Sequence, residues 1–178
     1  LQISAELRLE QSLRILLGWD FFESGLEKFH GENWFMDIQD KFPFPLSLVA
    51  PEISWQMATW FELLGGIALV IGLGTRFFSV SLFVLTLVAI ASVHWPETWM
   101  NFSELLQGYV FTDKGFGNFK LPVLFLGMLL PLTLLGPGRF SIDHWLRRKY
   151  LPESLGDKEK PLQVDDRYLQ NPVISSRV

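Results

Sequence analysis

Four apolar runs, separated by two long aromatic loops and one tight turn, set the pattern of this chain. They cover about residues 13–29, 54–73, 77–95 and 121–135. The second and third have the length of a membrane-crossing helix, and the first and fourth stand at its short limit. The first run, LRILLGWDFFESGLEKF, is unusual because it carries Arg14, Asp20, Glu23 and Glu27. At 100° per residue the three acids fall within an arc of roughly 60°, one acidic stripe on one helix face. Lipid is a poor neighbour for such a stripe, since each charge at the bilayer centre costs about 2.5–3.5 kcal/mol on insertion scales. The expectation is that it faces other helices or a wet cavity.

The connections carry their own signals. Between His30 and Pro51 lie Trp34, Phe35, Met36, Phe42 and Phe44, an aromatic content that predicts a segment lying on the interface rather than free in water. In the second run Ala68 and Gly72, four apart, are expected to let a neighbouring helix approach closely. Gly74-Thr75-Arg76 predicts a tight turn, and Asn101–Leu106 a short amphipathic helix. Pro122 opens the fourth run where its missing N–H costs little, and Pro131 interrupts it. Ser141 reads as the N-cap of an amphipathic helix ending in Arg147, Arg148 and Lys149. Beyond Pro152 the chain turns polar, so residues 151–178 are expected to form a cytoplasmic tail. The fold predicted is an all-α membrane protein: residues 1–150 as a four-transmembrane-helix bundle with a cytoplasmic amphipathic C-terminal helix.

Composition supports this. Of 178 residues 49% are hydrophobic, with seven tryptophans and sixteen phenylalanines, rich for a soluble domain of this size. A net charge of −4 without a basic stripe points away from nucleic acid. The chain has no cysteine, which removes disulfides, thiolate metal sites and thiol exchange from what it can do alone. The opening residues read as an amphipathic helix rather than a signal sequence.

Lysine and arginine set the orientation. Arg8, Arg14, Arg76, Arg139, Arg147, Arg148 and Lys149 gather at one side, against Lys28, Lys41, Lys114 and Lys120 at the other. The positive-inside rule places both termini in the cytoplasm and both aromatic loops outside. Depth then pairs the acids. Glu23 lies ten residues after Leu13 and Glu62 eleven before Leu73, each roughly 15 Å from the inner edge at 1.5 Å per residue. Two carboxylates at one level are expected to share a proton or a cation. Glu23 and Glu62 are therefore the candidate catalytic groups, and Glu27, His30 and His94, nearer the outer end, the candidate metal ligands. Arg14 and Arg76 at the inner end read first as snorkelling anchors. The glycine-rich stretches lack the setting of a phosphate cradle.

The segments RILLGWDFFESGLEKF, FELLGGIALVIGLGTR and LLGPGRFSIDHWL, at these spacings, resemble the three recurring segments of the DoxX family of small bacterial four-span membrane proteins. The resemblance covers about residues 12–147 and is most specific at Glu62, Gly65, Gly66, Gly72 and Arg76. The stretch GYVFTDKGFGNFKLP is similar to a subgroup encoded beside copper-responsive, ribosomally made modified peptides. The resemblance implies a multi-pass inner-membrane protein, often an accessory or quinone-linked subunit of a redox assembly associated with thiol or sulfur-compound oxidation and with oxidative or metal stress. It carries Arg14, Glu62, Arg76 and Arg139 over as candidates. Asp20 and Glu23 make this first run more acidic than is usual in the family, which favours a role specific to this subgroup; Asp20 stands with Arg14, Arg76 and Arg139 as a candidate cofactor-binding residue.

Three functions compete. The first is a membrane subunit that binds a quinone or other small redox partner, with Glu23 and Glu62 moving protons. The second is a cation or copper pathway through Glu23, Glu27, Glu62 and His94, though no methionine-rich or cysteine set suits Cu(I). The third is a scaffold whose aromatic loops and tail dock other membrane or periplasmic subunits.

Overall fold

A computed structural model of the chain describes residues 2–110, 117–136, 138 and 141–150. Among these residues every regular element is helical. Helix α1 runs Gln2–His30, α2 Pro51–Ile71, α3 Thr75–Ala89, α4 Phe102–Gln107, α5 Lys120–Leu135 and α6 Ile142–Tyr150. Two 3-10 turns, Phe35–Lys41 and Leu46–Leu48, occupy the first loop, and α3 widens into a π turn at Ile90–His94. Leu1–Leu146 form one compact unit, and Arg147–Tyr150 continue α6 beyond it. The expected polar tail, 151–178, lies outside the described residues.

Each apolar run folds as one helix. Those of α2 and of α3 with its π turn are long and apolar enough to cross a membrane; α5 has sixteen residues, and α1 is diluted by its charges. Pro51 starts α2 at the first helical position. Gly72 ends it at φ 72°, ψ 39°, where the Leu73 N–H reaches back to the Ala68 carbonyl at 2.9 Å and the Gly72 N–H to Leu69 at 3.2 Å. These bonds satisfy the last carbonyls of the helix. Gly72 is thus a helix stop, and the close approach it allows is to the start of α6, where a Cβ would stand 2.6 Å from that of Ser141.

The close helix approach is made elsewhere. A Cβ on Gly66 of α2 would stand 2.6 Å from the Gly18 carbonyl and 2.7 Å from the Phe22 N–H on α1. One on Gly25 would meet the Leu63 N–H at 2.7 Å. Backbones this near need residues without side chains. α1 packs chiefly on α2, and α3 chiefly on α5. An inner core of Leu17, Phe21, Leu69, Leu82, Leu129 and Leu132 draws on all four long helices. An outer core of Phe35, Phe42, Trp55 and Ala58 draws the first loop down onto α2 and α3. Phe35 meets the Trp55 ring edge-on at 5.1 Å between centroids. The aromatic loop is therefore a packed cap at Phe35 and Phe42, while Met36 and Phe44 stay exposed.

The second loop closes in the same region. Asn101 caps α4, accepting from the Glu104 N–H at 3.0 Å, and Trp95 stacks on Phe119 at 5.7 Å. Lys41 and Glu97 join the two loops across 2.5 Å. Their hydrogen bond, reinforced by opposite charge, lifts Lys41 above its ordinary pKa and holds Glu97 below the usual carboxylate range. Glu97's share of stability is full above the unfolded carboxylate pKa and is lost as pH falls through the depressed folded value. Lys41's share is full below the unfolded lysine pKa and is lost as pH rises through the raised one. Both groups are solvated, so the tie is weak.

Candidate functional site

Glu62 sits in the middle of α2, on the face that carries the buried Ala58, Thr59, Gly65, Gly66 and Leu69. Gly25 brings α1 against it: a Cβ there would lie 3.0 Å from that of Glu62. One turn further along α1, Lys28 Nζ donates to Glu62 Oε2 at 2.7 Å and to Ser24 Oγ at 2.9 Å. The side chains of Lys28 and Glu62 are 17% and 5% exposed. Glu27 acts on Glu62 through charge alone, and the half-buried His94 lies within electrostatic range of Lys28. The result is a buried ion pair with a hydroxyl beside it, set between two helices whose backbones nearly touch.

This is not the pair that depth suggested. Glu23 is exposed, as are Asp20 and Glu27, and Glu62 meets Lys28 instead. The reason is angular. Arg14, Leu17, Gly18, Phe21, Gly25 and Lys28 share the packed face of α1, and the three acids point about 130° away from it at 100° per residue. The acidic stripe exists but turns outward from the bundle, where the sequence placed it against helices or water. Lys28, read from sequence only as an outer-side charge, carried a usable signal: it stands on the stripe of Gly18, Phe21 and Gly25, four residues after Ser24.

The proposed metal ligands are not brought together. Glu27 and His30 are exposed, and His30 Nδ1 lies 3.0 Å from the Leu26 carbonyl of its own helix. Among the described residues no group of three or more His, Cys, Asp or Glu side chains is clustered for a metal. A shallow recess of about 440 Å³, lined by Glu52, Ile53, Gln56, Met57, Trp60 and Phe61, lies on the far face of α2 from Glu62.

The two arginines do backbone work at the other end. Arg14, 3% exposed, donates from Nε to the Leu69 carbonyl at 3.1 Å and from Nη2 to Val70 at 3.4 Å. Arg76 Nη2 donates to the Leu134 and Leu135 carbonyls at 3.3 and 3.4 Å. Each guanidinium thus satisfies the open carbonyl end of another helix, α2 or α5, and its charge suits the negative end of that helix's dipole. Glu10 and Asp143 offset the charge of Arg14. Arg139 lies outside the described residues.

Asp143 was not singled out from sequence. Its carboxylate accepts from the Gly74 and Thr75 N–H groups at 2.9 and 3.0 Å, while its own N–H reaches the Gly72 carbonyl at 3.1 Å. It therefore caps α3 from α6. Ser141 caps α6 as expected, its Oγ accepting from the His144 N–H at 3.1 Å. The signal for Asp143 would have been a carboxylate in the first turn of a helix facing a Gly-Leu-Gly turn, and nothing local ties the two.

A helical bundle with two membrane-length helices, α2 and α3, and a buried charge pair between α1 and α2 defines a small helical membrane protein. The DoxX family model matches residues 10–95, a stretch that contains Arg14, Lys28, Glu62 and Arg76. An uncharacterized protein of Haemophilus influenzae is 40% identical over 142 residues, 80% of this chain and 85% of that protein. The chain belongs to the DoxX family. No solved structure matches it.

Proposed function

We propose that this chain is a four-span inner-membrane subunit of a redox assembly, with both termini in the cytoplasm, in which Lys28 and Glu62 bind a quinone-like partner and Glu62 handles its protons. α1 and α5 serve as the other two spans. At 1.5 Å per residue α5 measures about 24 Å, short for the apolar layer, and the lysine and arginine bias supports the orientation. The observation that carries the reading is the 2.7 Å contact between Lys28, in the last turn of α1, and Glu62, in the middle of α2. Withdrawing two charges from water costs several kcal/mol per ion, which an apolar pair would avoid, and ionisable groups inside spans are functional by default.

The donor set suits such a partner. A bound quinone would supply two-electron, two-proton chemistry, with electrons from a redox subunit. Lys28 presents a partly exposed ammonium able to donate to a carbonyl oxygen. Glu62 is the adjacent carboxyl able to hold and pass a proton, and Ser24 keeps the ammonium aligned. The test is to purify the wild-type protein and Glu62→Gln from the same membranes and quantify co-purified quinone. The wild type should retain it near one per chain and the variant at least tenfold less. Equal amounts in both, or none in the wild type, reject the role.

A second reading, a docking subunit, is favoured by the outward acidic stripe. Asp20, Glu23 and Glu27 are exposed on α1 beside Trp19, which is 64% exposed. At the level of mid-α2, that face is costly to leave in lipid. Coverage by another subunit of the assembly removes the cost and is compatible with the first reading.

A further inference from the structure

The chain places an ionisable pair between two apolar layers of unequal tightness, and this has a consequence for the direction from which protons reach it. We propose that Glu62 exchanges protons only with the loop-bearing end of the bundle, along the route that the Lys28 side chain occupies. The proposal rests on the proton-handling role of Glu62 given above and adds its sidedness.

Toward the chain-terminal end the way is shut. Leu17, Leu69, Leu82, Leu129 and Leu132 are each 0% exposed and Phe21 4%, and together they form one contiguous cluster. Leu69 stands two turns from Glu62, and its carbonyl is already held by Arg14 at 3.1 Å. The seams between helices are closed as well. At Gly66 the α1 and α2 backbones leave no room for a Cβ, and at Gly65 the Leu82 side chain stands 3.0 Å from where one would be. A water needs space of about one probe sphere and two or more polar partners. These seams offer no such space, although Thr75, Ser79 and Thr86 set buried hydroxyls on the same face of α3 as Leu82.

Toward the loops the layer is incomplete. Phe35, Phe42, Trp55 and Ala58, with Leu85 and Val88 packed on them, cover the α2–α3 side. On the α1 side stands Lys28, 17% exposed, in the last turn of a helix that ends at the exposed His30. Its long apolar stem allows the ammonium to swing outward while the methylenes stay packed. When it leaves, Glu62 is a bare carboxylate in an apolar site, and a proton from loop-side water forms an O–H bond on it and removes the charge. When the ammonium returns, the proton goes back to the same side. The other charged groups around this site are few. α1 adds Glu27, the outward Asp20 and Glu23, and at its inner end the buried Arg14; α3 adds His94 at its outer end and Arg76 at its inner end, and α5 has none between Leu121 and Leu135. The first loop carries Asp37, Asp40 and Lys41, on the loop-bearing side.

The test uses the full chain reconstituted in liposomes, with dicyclohexylcarbodiimide as a membrane-permeant probe of protonated carboxyls in apolar surroundings. Because the chain lacks cysteine, Ser103→Cys, on the exposed surface of α4, reports sidedness through an impermeant maleimide. The pH is then lowered on one face at a time, and modification of Glu62 is read by mass spectrometry. Acid on the loop side should raise labelling by up to about tenfold per pH unit, and acid on the terminal side should leave it unchanged. Leu82→Ala, which loosens the inner cluster, should make labelling respond to both sides. Labelling of the wild type that follows the terminal side, or both sides equally, overturns the sidedness and leaves the proton role standing. Glu62 unlabelled under every condition overturns the proton role and the sidedness with it.

Discussion

Lys28 and Glu62 are held together by what each would cost alone. Removing one member of a buried pair strands the other, a penalty of about 3–5 kcal/mol, whereas replacing both by apolar groups of similar size is often neutral or stabilising. Lys28→Met and Glu62→Met should therefore each destabilise the chain by a few kcal/mol in denaturant unfolding from detergent, and the double variant should recover most of the loss. Additive losses in the double variant would mean that the two charges are not coupled, and the 2.7 Å contact would lose its meaning. Ser24 gives a milder comparison, since Ser24→Ala removes one acceptor and leaves the ion pair. Half of this site was legible from sequence. Glu62 declares itself as a charge in the middle of an apolar run, where its burial is costly under any arrangement. Its partner did not, because level along a helix and angle around it are separate coordinates. Depth alone matches Glu62 with Glu23, while the angle set by Gly18, Phe21 and Gly25 brings round Lys28.

The helices themselves follow from the apolar runs, whose ends match the expected boundaries within a few residues except that α1 extends back to Gln2. Their packing depends on glycines that a run of hydropathy does not rank. Gly66 and Gly127 both lie inside helices, yet a Cβ at Gly66 would collide with α1 backbone at 2.6 and 2.7 Å, and one at Gly127 would have nothing within 4 Å. Gly66→Ala should thus push α1 from α2 and cost about 1–3 kcal/mol or more. Gly127→Ala should stabilise α5 by about 0.5–1 kcal/mol, because glycine only loosens a helix interior. Thermal unfolding of the two variants side by side checks this, and equal effects would remove the argument for a glycine-mediated seam. The helix ends were less legible than the helices. Arg14 closes α2 across 55 positions, Arg76 closes α5 across 58, and Asp143 opens α3 across 69. A cap recruited from so far away leaves no pattern near the end it caps. The arginines were visible as inner-end charges but not as backbone ligands.

The whole molecule presents two kinds of surface to its surroundings. Most of α2, α3 and α5 exposes aliphatic and aromatic side chains, among them Leu64, Val80, Val84 and Leu134, which suit acyl chains. The outward face of α1 does not, because Asp20, Glu23 and Glu27 stand on it at the level where α1 packs against the middle of α2. Sequence showed the stripe and the reason it avoids lipid. It did not show that no helix among the described residues covers it, because the stripe's angle becomes meaningful only once α1 is docked on α2. Three charges at about 2.5–3.5 kcal/mol each sum to of order 10 kcal/mol, comparable to the entire stability of a domain, so a chain with this face in lipid would barely persist. A second copy presenting the same face would set acid against acid. On the docking reading proposed above, a different subunit, offering basic or hydrogen-bond-donating side chains at that depth, would answer the charge. The combined variant Asp20→Asn, Glu23→Gln and Glu27→Gln separates the two energies involved. Reconstituted alone, it should be more stable than the wild type by several kcal/mol, because none of the described helices covers the stripe. In native membranes it should instead release the chain from its complex, seen as a smaller species on native electrophoresis. If the variant keeps both the wild-type stability and the wild-type complex size, the stripe already has water or headgroups for company, and α1 lies shallower than a spanning helix.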